Sequence, residues 1–430
     1  MLKLNKIERL KSTNGKRIVL IGGSSIPFGL RSELVKKYLP EYEVVDFGLY
    51  ASLGSNVMLD FAKARINKDD ILLFVPEQHE QTLSMYYNGD SLWQALDGHY
   101  NNISLLNYET RQRLYGDLYK FSQDKYKFNT YEKIDLGDSI YQRSSFNTYG
   151  DIKEELTPYN TMYDLYDVTT SIRFDNDIIK NDFIDYLNDF NNYVNKKEAH
   201  LYYYFCPMNI AAIEDEDKVD TYYDYLTSKL NFDILGNPHD SIMDKEWFYD
   251  TNFHLNSSGS RLYTKKLIQN IKLLLNDTSA TDIEEPSKPD IPEAEGDKDI
   301  DNSQEDNFSY IYKDNSYIIT GIKSPLKHMI VPYYHEGIKI SGFNSDVFSN
   351  RSDIEEITIQ NNVRYIYDYS FSGCSNLTKI HLSNKKPSSI NIGDHLLDGC
   401  DANIYVPVDI ISLYITNYTF SRYATRILTE

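Results

Sequence analysis

An α/β domain built on a parallel sheet, followed by a small repeat solenoid, is the architecture that this sequence predicts. Three observations carry it. Apolar runs of strand length alternate with amphipathic helical patterns over residues 17–276. An acidic, proline-bearing stretch then interrupts the pattern from residue 277 to 306. Beyond it, apolar positions recur every 23 residues, as from Phe348 to Phe371.

In the first region, residues 18–21 are an apolar run of buried-strand type, followed by a turn holding Gly22, Gly23 and Gly29. Ser32 is the expected N-cap of a helix with Leu34, Val35, Tyr38 and Leu39 on one face, stopped by Pro40. Residues 44–47 form a second strand, and Gly54 and Ser55 open a second helix carrying Val57, Met58, Phe61 and Ala64. Residues 71–75 are a third strand, ended by Pro76. Then come a helix over 183–194, a strand over 201–205, a helix over 222–230, a weak strand over 232–235 and a closing helix over 261–275. This alternation predicts helices on both faces of a parallel sheet. Residues 80–180, rich in Tyr, Asn and Asp, break the rhythm and read as an insertion of loops and short helices over the sheet's carboxyl edge.

The chain has 430 residues, which favours two domains over one core. Between residues 277 and 306 stand twelve acids, two lysines and three prolines, about half of the net charge of −20. Such composition predicts a disordered acidic linker over 277–307, dividing a domain 1–276 from a domain 308–430. The net charge argues against nucleic acid or an anionic membrane as partner. No apolar run is long enough to insert in a membrane. Residues 1–16 are polar and show no signal-peptide core, which by itself points to the cytoplasm. Three cysteines cannot build a disulfide framework, and no Cys/His spacing suits zinc. The 38 tyrosines suit sugar contacts, and equally follow from genome composition.

In the second region, Phe348, Ile354, Ile357 and Ile359 are echoed by Phe371, Leu377, Ile380 and Leu382. An imperfect copy runs through Leu397, Gly399, Cys400, Ile404 and Val406, and residues 329–332 read as a degenerate first turn. Cys374 and Cys400 read as small core residues of the inner turn. Over most of 325–407 the pattern resembles the leucine-rich repeats of bacterial surface antigens, with Pro387 and Pro407 at their proline position.

Two blocks carry chemistry. The first strand ends in Gly22-Gly23-Ser24-Ser25, and a serine at the carboxyl end of a first parallel strand is a nucleophile position. The same block is also compatible with a plain turn or a phosphate-binding loop, although it has neither the Walker lysine nor the Gly-x-Ser-x-Gly elbow. Before the closing helix stand Asp250, His254 and Asn256, where the histidine can take a serine proton while the aspartate fixes its tautomer. Serine first, with Asp and His together near the domain's end, resembles the SGNH (GDSL-type) hydrolase superfamily over about 17–276, apart from the insertion.

That resemblance implies a three-layer, flavodoxin-like domain with a catalytic Ser-His-Asp triad. Aligning Gly23 with the family's aspartate makes Ser24 the nucleophile; shifting by one makes it Ser25 and puts Gly29 at the usual spacing. Gly54 matches the glycine whose N–H helps bind the oxyanion. The third block departs: Pro76-Glu77-Gln78-His79 stands where Gly-x-Asn-Asp is usual, so Glu77 takes the asparagine position and Gln78 becomes an alternative donor. Asp250 lies four residues before His254 where three is usual, and Thr251 holds the usual place. The resemblance implies hydrolysis of small acyl esters, O-acetyl groups on carbohydrate above all, with no metal or organic cofactor. Acyl transfer to a glycan, and a non-catalytic binding protein with a degenerate site, are the alternatives. The repeat domain is expected to bind a protein or a glycan, and its type resembles surface proteins.

Overall fold

The computed structural model describes residues 2–130, 140, 143–162, 165–167, 170–290, 300–313, 316–384, 387, 390–393, 395–416 and 420–430. These fall into two compact units, 2–290 and 300–430. In the first, β1 (Lys16–Gly22), β2 (Tyr42–Gly48), β3 (Ile71–Val75) and β4 (His200–Tyr203) run parallel in the order β2-β1-β3-β4. All of β3, and all of β1 beyond its first residue, is buried, which requires cover on both faces. α1 (Leu2–Ser12), α4 (Ser55–Ala62) and α8 (Asn181–Asn195) pack together on one side. α2 (Ser25–Gly29), α3 (Ser32–Tyr38) and α10 (Ser257–Leu274) pack together on the other. The chain steps outward from β1 to β2 and then back across to β3. The carboxyl ends of β1 and β3 therefore flank the crevice where strand order reverses, the place where open α/β sheets bind ligands.

The insertion contributes α5 (Gly89–Leu96), α6 (Tyr108–Leu114) and α7 (Leu118–Thr130); its residues 131–139, 141–142, 163–164 and 168–169 lie outside the described residues. α9 (Val219–Lys229) precedes the last loop, and the two-residue strands β5 (Met208–Asn209) and β6 (Ile242–Met243) pair beside it.

Three expectations change. The run 232–235 forms no strand: it contributes a bridge from Ile234 to Tyr203 before Gly236 turns the chain away. Ser32 is not the cap of α3; Arg31 holds the cap position, and the N–H and hydroxyl of Ser32 both donate to the buried Asp151 carboxyl at 2.7 Å. A carboxyl from a distant loop thus does the work expected of a local side chain. The acidic linker is not free along its first half. Ile283 is buried, Lys272 Nζ donates to the carbonyls of Ser279 and Ala280, and Tyr38 donates to the carbonyl of Asp282. Ion pairs from Lys265 to Glu285 and from Lys288 to Asp244 and Glu246 add to this docking of 277–290, while 291–299 lie outside the described residues.

The second unit stacks a parallel sheet on a mixed one, in which β7 and β8 are antiparallel. Five strands, β9 (His328–Val331), β12 (Glu356–Ile359), β14 (Lys379–Leu382), β16 (Asn403–Val406) and β17 (Ile427–Thr429), line one wall. Ile357 pairs with Ile380, Ile380 with Ile404, and Ile404 with Ile427. The other wall runs β15 (Asn391–Ile392), β13 (Tyr365–Ile366), β11 (Ile338–Phe343), β8 (Ser316–Ile322) and β7 (Phe308–Lys313), with β10 (Tyr334–His335) beside β11. Alternate residues of β12 and β14 point into the core, as a period of two requires. Cys374 and Cys400 are buried there without a disulfide, and Cys374 Sγ donates to the Phe348 carbonyl at 2.8 Å.

Two tests follow from these contacts. A fragment 1–290 is expected to outlast a fragment 1–276 by several degrees in thermal melting, because burying Ile283 contributes about 2 kcal/mol; equal melting would detach 277–290 from the fold. Burial, reinforced by the neighbouring charge of Asp46, pushes the Asp151 carboxyl up to about 6. The folded state then holds this proton more tightly than the unfolded chain. Its contribution is full below the ordinary carboxylate range and is lost as pH rises through about 6. The loss of stability between pH 5 and 7, read from urea midpoints, is expected to shrink in Asp151→Asn.

Candidate active site

β1 ends at Gly22, Gly23 turns the backbone, and Ser24 stands at the N-cap position of α2. His254 arrives from the loop before α10. Its Nε2 lies 2.8 Å from Ser24 Oγ and its Nδ1 lies 2.8 Å from Asp250 Oδ1. With the proton on Nδ1, that N–H donates to Asp250 and Nε2 accepts the Ser24 hydroxyl. The imidazole is 4% exposed and lies flat on Phe28, ring centroids 4.1 Å apart. The stack sets the plane in which Nε2 faces the serine.

Local hydrogen bonds explain how a four-residue spacing serves. Thr251 Oγ1 accepts the N–H groups of Phe253 and His254, so the residue at the family's usual acid position builds the turn instead. The Tyr249 N–H donates to the His254 carbonyl at 2.8 Å, and Phe248 bridges Leu255. Asn256 caps α10 through Gly259 N–H and donates to the carbonyls of Glu246 and Phe248. Asn252 donates to the carbonyls of Asp167 and Thr170, fixing the loop's other side.

Of the two serines, Ser24 faces His254. Ser25 is fully buried, its hydroxyl has no hydrogen-bond partner among the described residues, and its N–H donates to Glu77 Oε1 at 3.1 Å. The same oxygen lies 3.3 Å from Ser24 Oγ. Ser24 therefore has one hydroxyl proton and two acceptors, and the closer one is His254. A Cβ at position 23 would lie 2.6 Å from Glu77 Oε1, so glycine there leaves room for the carboxyl.

The other expected oxyanion donors are placed differently. Gly54 has φ +81°, and a Cβ there would lie 2.1 Å from the Tyr86 carbonyl, so the position demands glycine. Its N–H, however, donates to the Ala51 carbonyl at 3.0 Å, closing a turn, and so is already engaged. Gln78 points away: its Nε2 donates to the Arg173 carbonyl at 3.0 Å. The Ser24 N–H carries no hydrogen bond among the described residues.

Beside this edge lies an open polar cleft of about 350 Å³, lined by His79, Glu80, Thr170, Ser171, Arg173 and Ile178. The sequence brought His79 forward only as part of the departing third block, and offered nothing for Thr170, Ser171, Arg173 or Phe28. These are contacts across the insertion and the serine turn, with no local pattern to announce them. No group of three or more His, Cys, Asp or Glu is placed to hold a metal ion among the described residues. No helix among them is long and apolar enough to cross a membrane.

Compared with known families, residues 341–427 match the BspA type leucine rich repeat region in six copies. The C-terminal unit is thus a repeat region of that type, and its matched span reaches β17, one rung past the copies read from the sequence. No curated protein matches the chain.

Glu77 is open to a direct test. Glu77→Ala removes the acceptor of the Ser25 N–H and loosens the turn, so labelling of Ser24 by a fluorophosphonate is expected to slow about tenfold or more. Glu77→Gln keeps an oxygen for that N–H and is expected to lose less; equal losses would tie the effect to charge and not to the hydrogen bond.

Proposed function

We propose that the first unit is a serine esterase of SGNH type that removes O-acetyl or other small acyl groups from carbohydrate. The observation that carries this reading is the continuous chain Asp250–His254–Ser24, both links 2.8 Å, at the carboxyl edge of a parallel sheet. Ser24 Oγ attacks the ester carbonyl carbon while His254 Nε2 takes its proton. Asp250 holds the imidazole tautomer and balances the imidazolium that forms. The tetrahedral oxyanion meets the Ser24 N–H. Collapse breaks the bond to the alcohol, which leaves with the proton from His254. Water then repeats the sequence on the acyl-serine, giving the free acid and restoring Ser24.

The buried Glu77 carboxyl qualifies the resemblance, because a negative charge there opposes an oxyanion. Its bond to the Ser25 N–H directs it to the serine turn, so the reading needs no donation from it. The repeat unit supplies no triad residue in this scheme.

Ser24→Ala and His254→Ala are each expected to lower kcat for p-nitrophenyl acetate by about 10³-fold or more, and the double variant to be hardly worse, since triad members act as a unit. Ser25→Ala is expected to stay within about threefold, because its hydroxyl makes no hydrogen bond among the described residues. Loss in Ser25→Ala with Ser24→Ala active would shift the nucleophile by one. No turnover in the wild-type chain, with no serine labelled by a fluorophosphonate, would leave a binding protein.

A further inference from the structure

The cleft lined by His79, Glu80, Thr170, Ser171, Arg173 and Ile178 offers a guanidinium in a chain that is acidic as a whole. Arg173 lines it, and among the described residues one carboxylate, Asp175, lies within 4 Å of its guanidinium, at 3.9 Å. Asp175 is itself held by Lys218 Nζ at 2.6 Å. Lys218 also lies 3.8 Å from Asp215, so Asp175 is engaged mainly by Lys218, and Arg173, at 3.9 Å, has no close carboxylate of its own among the described residues. His79 adds a donor. Its Nδ1 accepts the Gln81 N–H at 3.3 Å, which leaves the ring proton of the neutral imidazole on Nε2. Thr170 and Ser171 add hydroxyls, Ile178 an apolar patch, and Glu80, exposed at the rim, an acceptor.

Both walls of the cleft are tied to the triad loops. Gln78, next to Glu77, donates to the Arg173 carbonyl at 3.0 Å. Asn252, between Asp250 and His254, donates to the Thr170 carbonyl at 2.7 Å. The segments that line the cleft are therefore hydrogen-bonded to the turns that carry Glu77 and His254.

From this geometry we infer that the cleft binds the alcohol portion of the ester, and that Arg173 recognises an anionic group on it. The matching ligand is a hydroxylated anion: a sugar bearing a carboxylate or a phosphate ester. Arginine meets either group with two parallel N–H donors, the hydroxyls and Glu80 meet sugar hydroxyls, and Ile178 meets a ring face. The inference rests on the esterase reading above and adds the charge of the substrate.

The test uses the full chain and four substrates: p-nitrophenyl acetate, acetylated methyl glucoside, acetylated methyl glucuronoside and acetylated glucose 6-phosphate. The wild type is expected to favour at least one anionic ester over the neutral glucoside by about tenfold or more in kcat/KM, the size of a charge-assisted hydrogen bond. Which anion is preferred identifies carboxylate or phosphate as the source. Arg173→Gln is expected to abolish the preference through KM while p-nitrophenyl acetate turnover stays within about twofold. Equal rates on neutral and anionic sugars, with p-nitrophenyl acetate still cleaved, would overturn the inference and leave the esterase reading standing. A preference that survives Arg173→Gln would overturn the role of Arg173. Inactivity on all four would remove the esterase reading and this inference with it. Binding of glucuronate and glucose 6-phosphate to Ser24→Ala, by calorimetry, reads the cleft without catalysis; affinities for both equal to that for glucose would also overturn it.

Discussion

Ser24 and His254 stand 230 positions apart, and everything at this site depends on their contact. It requires the turn after β1 and the loop before α10 to close over one edge of one sheet. Thr264, inside α10, makes that closure: its hydroxyl oxygen accepts the Arg31 N–H at 2.9 Å, just past α2. Tyr263 donates to the Phe205 carbonyl at 2.6 Å, tying the same helix to the strand side. Phe28, one turn beyond Ser24, then supplies the surface on which His254 lies. The serine turn and the base are thus carried by elements that pack on each other, which holds their spacing more tightly than either loop could alone.

The opposite edge of the sheet is fixed by other means. Arg17 and Asp70 form a buried ion pair at the starts of β1 and β3, and Arg17 also donates to the Leu10 carbonyl at 2.7 Å. Nearer the carboxyl end, Lys6 on α1 pairs with the buried Asp46 of β2 at 2.7 Å. Leaving one member of such a pair alone costs about 3–5 kcal/mol, so these contacts specify which helix covers which strands. Buried charge thus ties the frame at both ends of the strands, and the site itself rests on a chain of hydrogen bonds.

Much of the fold was legible because its strands are apolar runs: residues 18–21 and 71–75 are continuous, and 44–47 is broken only by Asp46. The repeat was legible because Ile357, Ile380 and Ile404 must all face one core. Helix α1 was not, since Lys6 reads as a solvated charge until Asp46 is placed opposite it. Nor was the docking of 277–290, where Ile283 and the ion pairs of Lys265 and Lys288 outweigh an acidic neighbourhood. At the site, Ser24, Asp250 and His254 stood out by type and order. The engaged amide of Gly54, the turn made by Thr251 and the cleft around Arg173 were hidden, because each depends on a partner whose position only tertiary structure supplies.

The glycine at position 23 has a consequence for how this chain compares with others. A side chain there would have to push the Glu77 carboxyl off the Ser25 N–H, so positions 23 and 77 share one volume. The SGNH resemblance puts an acid at 23 and none at 77; here the acid comes from the end of β3 and the turn after β1 is bare. Aligned column by column, that difference scores as two separate departures. In space the two positions meet in one volume, which the carboxyl from the end of β3 fills here. Substitutions at the two positions are therefore coupled, and either one examined alone misjudges how far the site has diverged.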